Sequence, residues 1–298
     1  MNSYVFVDRQ VPVQNEVFLD HTAHFYSDLN SAGAQLERLG FSVSGINMQK
    51  NLGADGLLSP SGTSNRLVRL RRGFLEILAA THATPLADQL RSALSRYEGI
   101  HLLAFSHTDL ESQRVRLVQS GFAMQPMVHM RRKAQESGKE VAWSVLRTEP
   151  HVMSEGRIQF VYPHTPELSW PAGSFTHPNR ADSLTGVIIC VSDTDEALLR
   201  YANFLGINAK NSKFHLDRGC VKIATLEEAR KILPDLVAPD LPFICGVTIA
   251  TDDLDRTREI IRSNGIVPVL DSTSMMWIEP KDALGCYMGF HQQTHIPI

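Results

Sequence analysis

The sequence repeats one pattern four times, and this repeat restricts the possible folds more than any single motif does. Each copy has an apolar segment that ends near an aspartate, then an amphipathic segment, then a glycine followed by an apolar residue. Twelve positions separate the aspartate from the glycine in three copies, and thirteen separate them in one copy. The pairs are Asp28 and Gly40, Asp109 and Gly121, Asp193 and Gly206, and Asp253 and Gly265. Such self-similarity indicates a repeated supersecondary unit.

Each part of the pattern predicts a defined element. An aspartate that follows an apolar strand can cap the free N–H groups of the next helix. Apolar residues then recur at helical spacing, as Leu36 and Leu39 do. The glycine supplies the left-handed conformation that ends a helix. Alternating runs such as RLVRL after each helix predict strands.

These units predict an α+β fold of four βαβββ modules that pair into two cups. A lone unit leaves the concave face of its curved sheet exposed to water, so adjacent units should pair around a central pocket. The predicted boundaries are 1–170 for the N-terminal pair (modules about 14–80 and 98–165), 171–182 for the linker, and 183–298 for the C-terminal pair (modules about 183–235 and 241–292).

Two irregular stretches interrupt the repeat. The linker at 171–182 is rich in Pro, Ser, Thr and Asn, which end periodic structure. Residues 50–65 contain several glycines and serines, and we expect them to form a mobile loop near the mouth of the first pocket.

Composition excludes several classes of function. A formal net charge of −3 and a pI near 6.5 do not indicate binding to nucleic acid or to an anionic membrane surface. The N-terminus carries charges where a signal peptide needs an apolar run, and no apolar stretch is long enough to span a bilayer. The four cysteines form no Cys-x-x-Cys pair. We therefore expect a soluble, cytoplasmic protein with reduced thiols.

Three motifs in the first unit, together with the four-unit plan, resemble a known superfamily. They are LDH at 19–21, GTSNRLVRL at 62–70 and GFLEILA at 73–79. The chain is similar to the vicinal-oxygen-chelate superfamily and, within it, to bacterial glyoxalase-like domain proteins. Other members are glyoxalase I, extradiol ring-cleaving dioxygenases, methylmalonyl-CoA epimerase and the fosfomycin- and bleomycin-resistance proteins.

The resemblance implies a divalent metal (Zn, Ni, Mn or Fe) inside the cup, where it would chelate vicinal oxygens of a substrate. Its ligands come from the first and last strands of paired units. His21 matches the first-strand ligand of unit one, Glu76 matches the last-strand ligand, and Gln159 is the counterpart of Glu76 in unit two. Glu76 also stands out physically, because a carboxylate in the apolar run FLEIL is costly unless it is paired or bound to a metal.

Later units depart from this pattern. Leu102 occupies the position in unit two that His21 occupies in unit one, and the neighbouring His101 should face the other side of the strand unless a bulge redirects it. A His/His/carboxylate triad is therefore incomplete. In units three and four, Val221 and Met288 stand at the last-strand positions. We expect the second cup to be a structural copy without ligands.

Four histidines and one asparagine are further candidates for the substrate pocket, namely His101, His107, His164, His177 and Asn65. His164 and His177 flank the linker, which would place a polar group over the first cup. The alternative is that these imidazoles are hydrogen-bonded packing groups, as histidines often are.

The leading hypothesis is a metal-dependent enzyme that acts on a small oxygenated substrate, with Glu76 as the catalytic residue, either as a ligand or as a general base. The missing second histidine favours lyase or isomerase chemistry over dioxygenase ring cleavage. The alternative is a non-catalytic protein that sequesters a small molecule, as resistance proteins do. A third hypothesis is a scaffold whose sheet edges pair subunits into a homodimer.

Overall fold

The computed structural model describes residues 7–52, 58–133, 138–171 and 173–293. Within them, fifteen strands form one hydrogen-bonded sheet. The strands are β1 (Phe18–Phe25), β2 (Asn47–Leu52), β3 (Leu58–Arg69), β4 (Phe74–Ala80), β5 (Gly99–Ser106), β6 (Val128–Lys133), β7 (Glu140–Arg147), β8 (Arg157–Pro163), β9 (Ala181–Cys190), β10 (Lys213–His215), β11 (Cys220–Ala224), β12 (Phe243–Thr251), β13 (Leu270–Asp271), β14 (Met275–Ile278) and β15 (Tyr287–Gln292). The helices are α1 (Leu29–Arg38), α2 (Pro85–Leu94), α3 (Leu110–Gln119), α4 (Pro166–Ser169), α5 (Thr194–Leu205), α6 (Leu226–Arg230) and α7 (Leu254–Ser263), and Pro280–Asp282 form a 3₁₀ turn.

Each repeated aspartate is confirmed as a helix N-cap. Asp28, Asp109, Asp193 and Asp253 precede α1, α3, α5 and α7, and each side chain accepts a hydrogen bond from a backbone N–H of the first turn. The glycines that follow these helices have φ between 74° and 86°, the left-handed region that favours glycine. Local sequence therefore determines where these four helices begin and end.

The N-terminal half of the sheet is built around the antiparallel pair of β1 and β5. On one side β1 pairs in parallel with β4, and β3 and β2 follow. On the other side β5 pairs in parallel with β8, and β7 and β6 follow. The outermost strands β2 and β6 contact each other, so the sheet curls into a cup.

The C-terminal half repeats this arrangement. β9 and β12 form the central antiparallel pair, β11 and β15 flank it in parallel, and β10, β14 and β13 lie farther out. The third repeat unit has two strands, β10 and β11, after its helix α5. Helix α6 follows at the position where a third strand would be expected. Ile244 of β12 also pairs with Ile100 of β5, so hydrogen bonding continues from one half to the other. The predicted division into two domains around 171–182 stays a prediction.

One hydrophobic core joins the two halves. It contains Leu36 of α1, Leu117 of α3, Phe204 of α5 and Ile261 of α7 together with apolar side chains from strands of both halves. The convex faces of the two halves of the sheet are thus covered by helices, and the concave face of the N-terminal half stays open for a cavity.

Apolar side chains fill the concave face of the C-terminal half. Trp277 is buried there, and it packs so closely over β15 that a Cβ on Gly289 would lie 2.8 Å from its ring. Leu233 and Leu236, which follow α6, cover the same cluster. The expected second cup is therefore a filled core.

The structure corrects two expectations. Val221 and Met288 were expected at the positions that face the second cup, but both belong to the core shared by the two halves. Their neighbours Cys220 and Tyr287 face the filled concave side instead. The prediction of a loop at 50–65 is wrong for its described part, since residues 50–52 end β2 and residues 58–65 belong to β3. Residues 53–57 lie outside the described residues.

Across the described ranges, no helix combines the length and apolar composition that crossing a bilayer requires.

Candidate functional site

A cavity of about 430 Å³ lies on the concave face of the N-terminal half. This volume is within the range of small-molecule sites. Strands from β1 to β8 all contribute to the wall. Its polar side chains include Asp20, His21, Gln49, Asn65, Glu76, Arg147, Arg157 and Gln159, and its apolar ones include Phe74, Leu78, Leu102, Trp143, Val145, Val161 and Trp170.

Asp20 and His21 both line the cavity, although consecutive residues of a strand normally face opposite sides. The pairing of β1 with β5 shifts between Leu19 and His21, and a bulge of this kind redirects side chains. Asp20 Oδ1 lies 2.7 Å from His21 Nδ1, and the Phe74 ring stacks on the imidazole at 4.2 Å between centroids. The ring is thereby held with Nε2 available to a ligand. The sequence predicted His21 but not Asp20.

Glu76 lines the cavity from β4 and is 8% exposed. Its Oε1 accepts hydrogen bonds from Asn65 Nδ2 at 2.5 Å and from Gln49 Nε2 at 3.2 Å. Both amides are held in turn, Asn65 by Asn47 at 3.2 Å and Gln49 by Thr63 at 2.6 Å. This network orients the carboxylate, and no described residue bonds to Oε2, which can therefore meet a ligand. Asn65, one of the candidate pocket residues, lines this cavity, and its role in binding a substrate stays a prediction.

Gln159 is the structural counterpart of Glu76. Glu76 lies opposite Ala23 of β1, and Gln159 lies opposite Ala104 of β5, so the two side chains hold equivalent places around the central strand pair. The Gln159 Oε1 atom accepts a hydrogen bond from Arg147 Nε at 3.1 Å. The oxygen that would serve as a metal ligand therefore already has a partner.

Leu102 takes the place of a second histidine. In the antiparallel pairing His21 lies opposite Ala104 and Leu102 lies opposite Ala23, which makes Leu102 the counterpart of His21. His101 faces away from the cavity, where its Nε2 donates to the backbone oxygen of Tyr97 at 2.8 Å. Burial lowers the pKa of His101 to about 4. The expectation that His101 contributes to the pocket is not met.

The other three histidines also lie outside the cavity wall. His107 accepts a hydrogen bond from a backbone N–H at the start of α3 at 3.0 Å, and His177 binds two backbone groups at 3.0 and 2.7 Å. His164 reaches the wall only indirectly, since its Nε2 lies 2.8 Å from Ser144 Oγ, which in turn lies 2.8 Å from His129 of the wall. These imidazoles satisfy nearby polar groups, which was the alternative interpretation of the sequence.

Two arginines of the wall were not predicted. Arg147 of β7 and Arg157 of β8 are half-buried, and their strands place them beside Gln159. Burial lowers the pKa of both, and it lowers that of Arg157 to about 10, to which the positive charge of Arg147 contributes while Glu76 opposes the shift. The period-2 pattern of β7, in which Trp143, Val145 and Arg147 share one face, was the available signal.

A divalent metal fits this donor set poorly. Catalytic metal sites of this kind use three protein ligands. In the described part of the chain, no three His, Cys, Asp or Glu side chains come together in a group that could hold a metal. His21 and Glu76 remain as two candidate ligands. Gln159 is engaged by Arg147, and two guanidinium groups add positive charge beside the site.

Comparison with known proteins agrees with this architecture. The sequence profile of a family described as "Glyoxalase-like domain" matches residues 19–205. No curated protein sequence matches the chain.

Solved structures with the same fold cover nearly the whole chain. A hypothetical protein from Staphylococcus aureus is 12% identical with a TM-score of 0.61, over 93% of this chain and 99% of the other. A mutant of 4-hydroxymandelate synthase from Streptomyces coelicolor is 13% identical with a TM-score of 0.60, over 96% and 95%. A catechol 2,3-dioxygenase is 12% identical with a TM-score of 0.53, also over 96% and 95%. Since the profile spans more than half of the chain, the chain belongs to the glyoxalase-like domain family, and its fold is that of these solved structures.

Proposed function

We propose that the N-terminal cavity is the active site of an enzyme that transfers protons on a small oxygenated substrate, which is chemistry of the lyase or isomerase type. The observation that carries the proposal is the buried Glu76 carboxylate, whose Oε1 is held by two amides and whose Oε2 has no partner among the described residues. A carboxylate that is oriented in this way, beside an imidazole in a largely apolar cavity, suits general acid–base catalysis.

In this proposal Glu76 removes a proton from a carbon next to a carbonyl group of the substrate. His21 Nε2 donates a proton to the carbonyl oxygen, on which the negative charge develops, and Asp20 holds the ring through Nδ1. Asn65 and Gln49 keep the carboxylate of Glu76 in place, so it needs little rearrangement before reaction. Leu102 stands where an iron dioxygenase of this superfamily would need its second histidine, which favours proton transfer over ring cleavage.

The metal-dependent form of this enzyme stays a second candidate. The bond between Asp20 and His21 supports it, because histidines that bind metals commonly donate their other ring N–H to a carboxylate. His21 and Glu76 would be the protein ligands, and Gln159 would first have to leave Arg147. Elemental analysis of protein purified without an affinity tag separates the two forms. Stoichiometric divalent metal that disappears in both His21→Ala and Glu76→Ala supports the metal-dependent enzyme.

A non-catalytic binding protein is the third candidate, since Phe74, Trp143 and Trp170 give the cavity an aromatic wall. It differs from the enzyme in one respect. A binding protein would hold its ligand without changing it chemically. Its affinity would depend on the aromatic side chains, and Glu76 would transfer no proton.

Deuterium exchange tests the proposal. The protein is incubated in D₂O with a panel of small 2-oxo and 2-hydroxy compounds, and exchange at the carbon next to a carbonyl group is followed by NMR. We expect the wild type to catalyse exchange and Glu76→Gln to lose it. Glu140→Gln is the matched control, because Glu140 is an exposed glutamate outside the cavity wall that pairs with Arg131. Equal exchange by wild type and Glu76→Gln would rule out the assigned role of Glu76.

A further inference from the structure

Two positive side chains of the cavity wall, Arg147 and Arg157, have no negative partner among the residues that the structure describes. Within the described residues, neither Arg147 nor Arg157 forms an ion pair; Arg147 donates to Gln159 at 3.1 Å and Arg157 donates to Gln89 at 3.2 Å, both uncharged amides. The other arginines of the wall are engaged differently, since Arg131 pairs with Glu140 at 3.0 Å and Arg69 donates to a backbone oxygen at 3.1 Å. A half-buried charge without a counter-ion is costly unless a ligand supplies one.

The strand register brings these two arginines together. Arg157 is two residues before Gln159 on the cavity side of β8, and Arg147 of β7 lies directly opposite Gln159. Arg157 also lies opposite Leu102, and Val145 and Val161 continue the same wall. A positive corner is therefore bordered by an apolar surface inside one cavity.

The charge of the neighbouring groups limits what the corner can bind. Glu76 is close enough to affect the pKa of both arginines in the direction that favours their charged forms. Two guanidinium groups near a single carboxylate, Glu76, leave an excess of positive charge at this corner, which suits a monoanion. A dianion such as phosphate would be repelled by Glu76. The planar guanidinium group matches the geometry of a carboxylate.

We propose that Arg147 and Arg157 form a subsite for the carboxylate of a small organic acid, whose apolar body packs against Leu102, Val145 and Val161. This inference rests on the proposed function in that it names the class of substrate for the same cavity. The carboxylate would place the rest of the acid inside the cup that also holds Glu76 and His21.

Calorimetry with matched acids and amides tests the subsite. The probes are benzoate, phenylacetate and hexanoate, each compared with its neutral amide at pH 7 and low salt. We expect at least one acid to bind and its amide to bind at least tenfold more weakly. Arg147→Met and Arg157→Met should each weaken binding of the acid by roughly 10- to 100-fold, the usual range for a hydrogen bond to a charged group.

Control variants distinguish specific binding at Arg147 and Arg157 from a general effect of positive charge around the cavity. Arg131→Met removes the same charge from the rim of the cavity, and we expect it to change affinity by less than about threefold, as for an exposed ion pair. Arg157→Lys keeps the charge and should retain part of the affinity, and thermal unfolding of each variant checks its fold. Equal binding of acid and amide, tighter binding of inorganic phosphate, no binding of any acid, or an equal loss in Arg131→Met would overturn the proposal.

The same probes distinguish this inference from the proposed function. Glu76→Gln should still bind the acid, because Glu76 is not part of the subsite. If acids bind in a way that depends on both arginines but the protein catalyses no exchange, the subsite is supported and the proposed enzymatic function is contradicted. If exchange depends on Glu76 but shows no preference for substrates with a carboxylate, the proposed enzymatic function is supported and the subsite is contradicted.

Discussion

Asp20 Oδ1 lies 2.7 Å from Nδ1 of His21, its immediate neighbour in β1, and both side chains face the same cavity. A bulge in the pairing of β1 with β5 makes this possible. The pair gives the cavity an imidazole of fixed orientation, and it connects the first strand of the repeat to the chemistry proposed for Glu76.

Asp20→Asn should reduce the rate of deuterium exchange, because Asp20 orients the His21 ring; loss of the carboxylate partner of a metal-binding histidine costs about 10- to 100-fold, and we expect an effect of similar size. The fold should survive, since the amide oxygen can still accept the hydrogen bond. NMR exchange rates at saturating substrate measure the effect. Asp88→Asn, an exposed change on α2, is the control. Unchanged exchange in Asp20→Asn would contradict a role for the Asp20–His21 pair.

Arg157→Met should stabilise the protein when no ligand is bound, because it removes a half-buried charge that has no counter-ion among the described residues. We expect the Tm to rise by about 2–4 °C, which corresponds to about 1 kcal/mol in a domain of ordinary size. Differential scanning calorimetry measures this change.

Arg200→Met is the control for this prediction, because Arg200 has a buried carboxylate partner and we expect its removal to destabilise the protein. Arg200 pairs with Glu155, which is fully buried, at 2.7 Å. Its removal leaves a buried carboxylate uncompensated and should cost about 3–5 kcal/mol. If Arg157→Met lowered the Tm in the same way as Arg200→Met, Arg157 would be a structural residue.

Two buried histidines should make the protein less stable in mild acid. Burial lowers the pKa of His24 and of His101 to about 4, below the value in the unfolded chain. The unfolded state therefore binds more protons between about pH 6.5 and pH 4, so stability is complete above this window and decreases as pH falls through it.

Each histidine should contribute a slope of up to about 1.4 kcal/mol per pH unit inside the window. Urea unfolding at pH 7, 6 and 5 measures the free energy of unfolding. His101→Phe should reduce the slope, whereas His82→Phe, at an exposed position, should not. Parallel pH profiles for wild type and His101→Phe would show that His101 does not titrate in this way.

Trp277→Ala should destabilise the C-terminal half by about 3–5 kcal/mol, the usual cost of truncating a large buried aromatic residue. Trp277 is 1% exposed and fills the concave face that corresponds to the cavity of the N-terminal half. Binding of acids to the N-terminal cavity should be unchanged, because the two concave faces belong to different halves. Chemical unfolding and calorimetry provide the two measurements, and a loss below about 1 kcal/mol would indicate a loosely packed face.

The sequence by itself determined the repeat, the capped helices and the family. These features rest on local physics, since an aspartate caps the N–H groups next to it and a glycine adopts φ > 0 without strain. The resemblance to the vicinal-oxygen-chelate superfamily singled out His21, Glu76 and Gln159, which all line one cavity, although their roles stay predictions.

Only the tertiary structure decided which groups meet inside the cavity. Asp20 enters through a bulge, Gln159 is engaged by Arg147, and Arg157 lies without a carboxylate partner among the described residues. His107, His164 and His177 instead bind nearby polar groups outside the wall. The reason is that side-chain direction after a bulge and the partner of a polar group both depend on strands far apart in the chain, and a repeat of local patterns does not encode them.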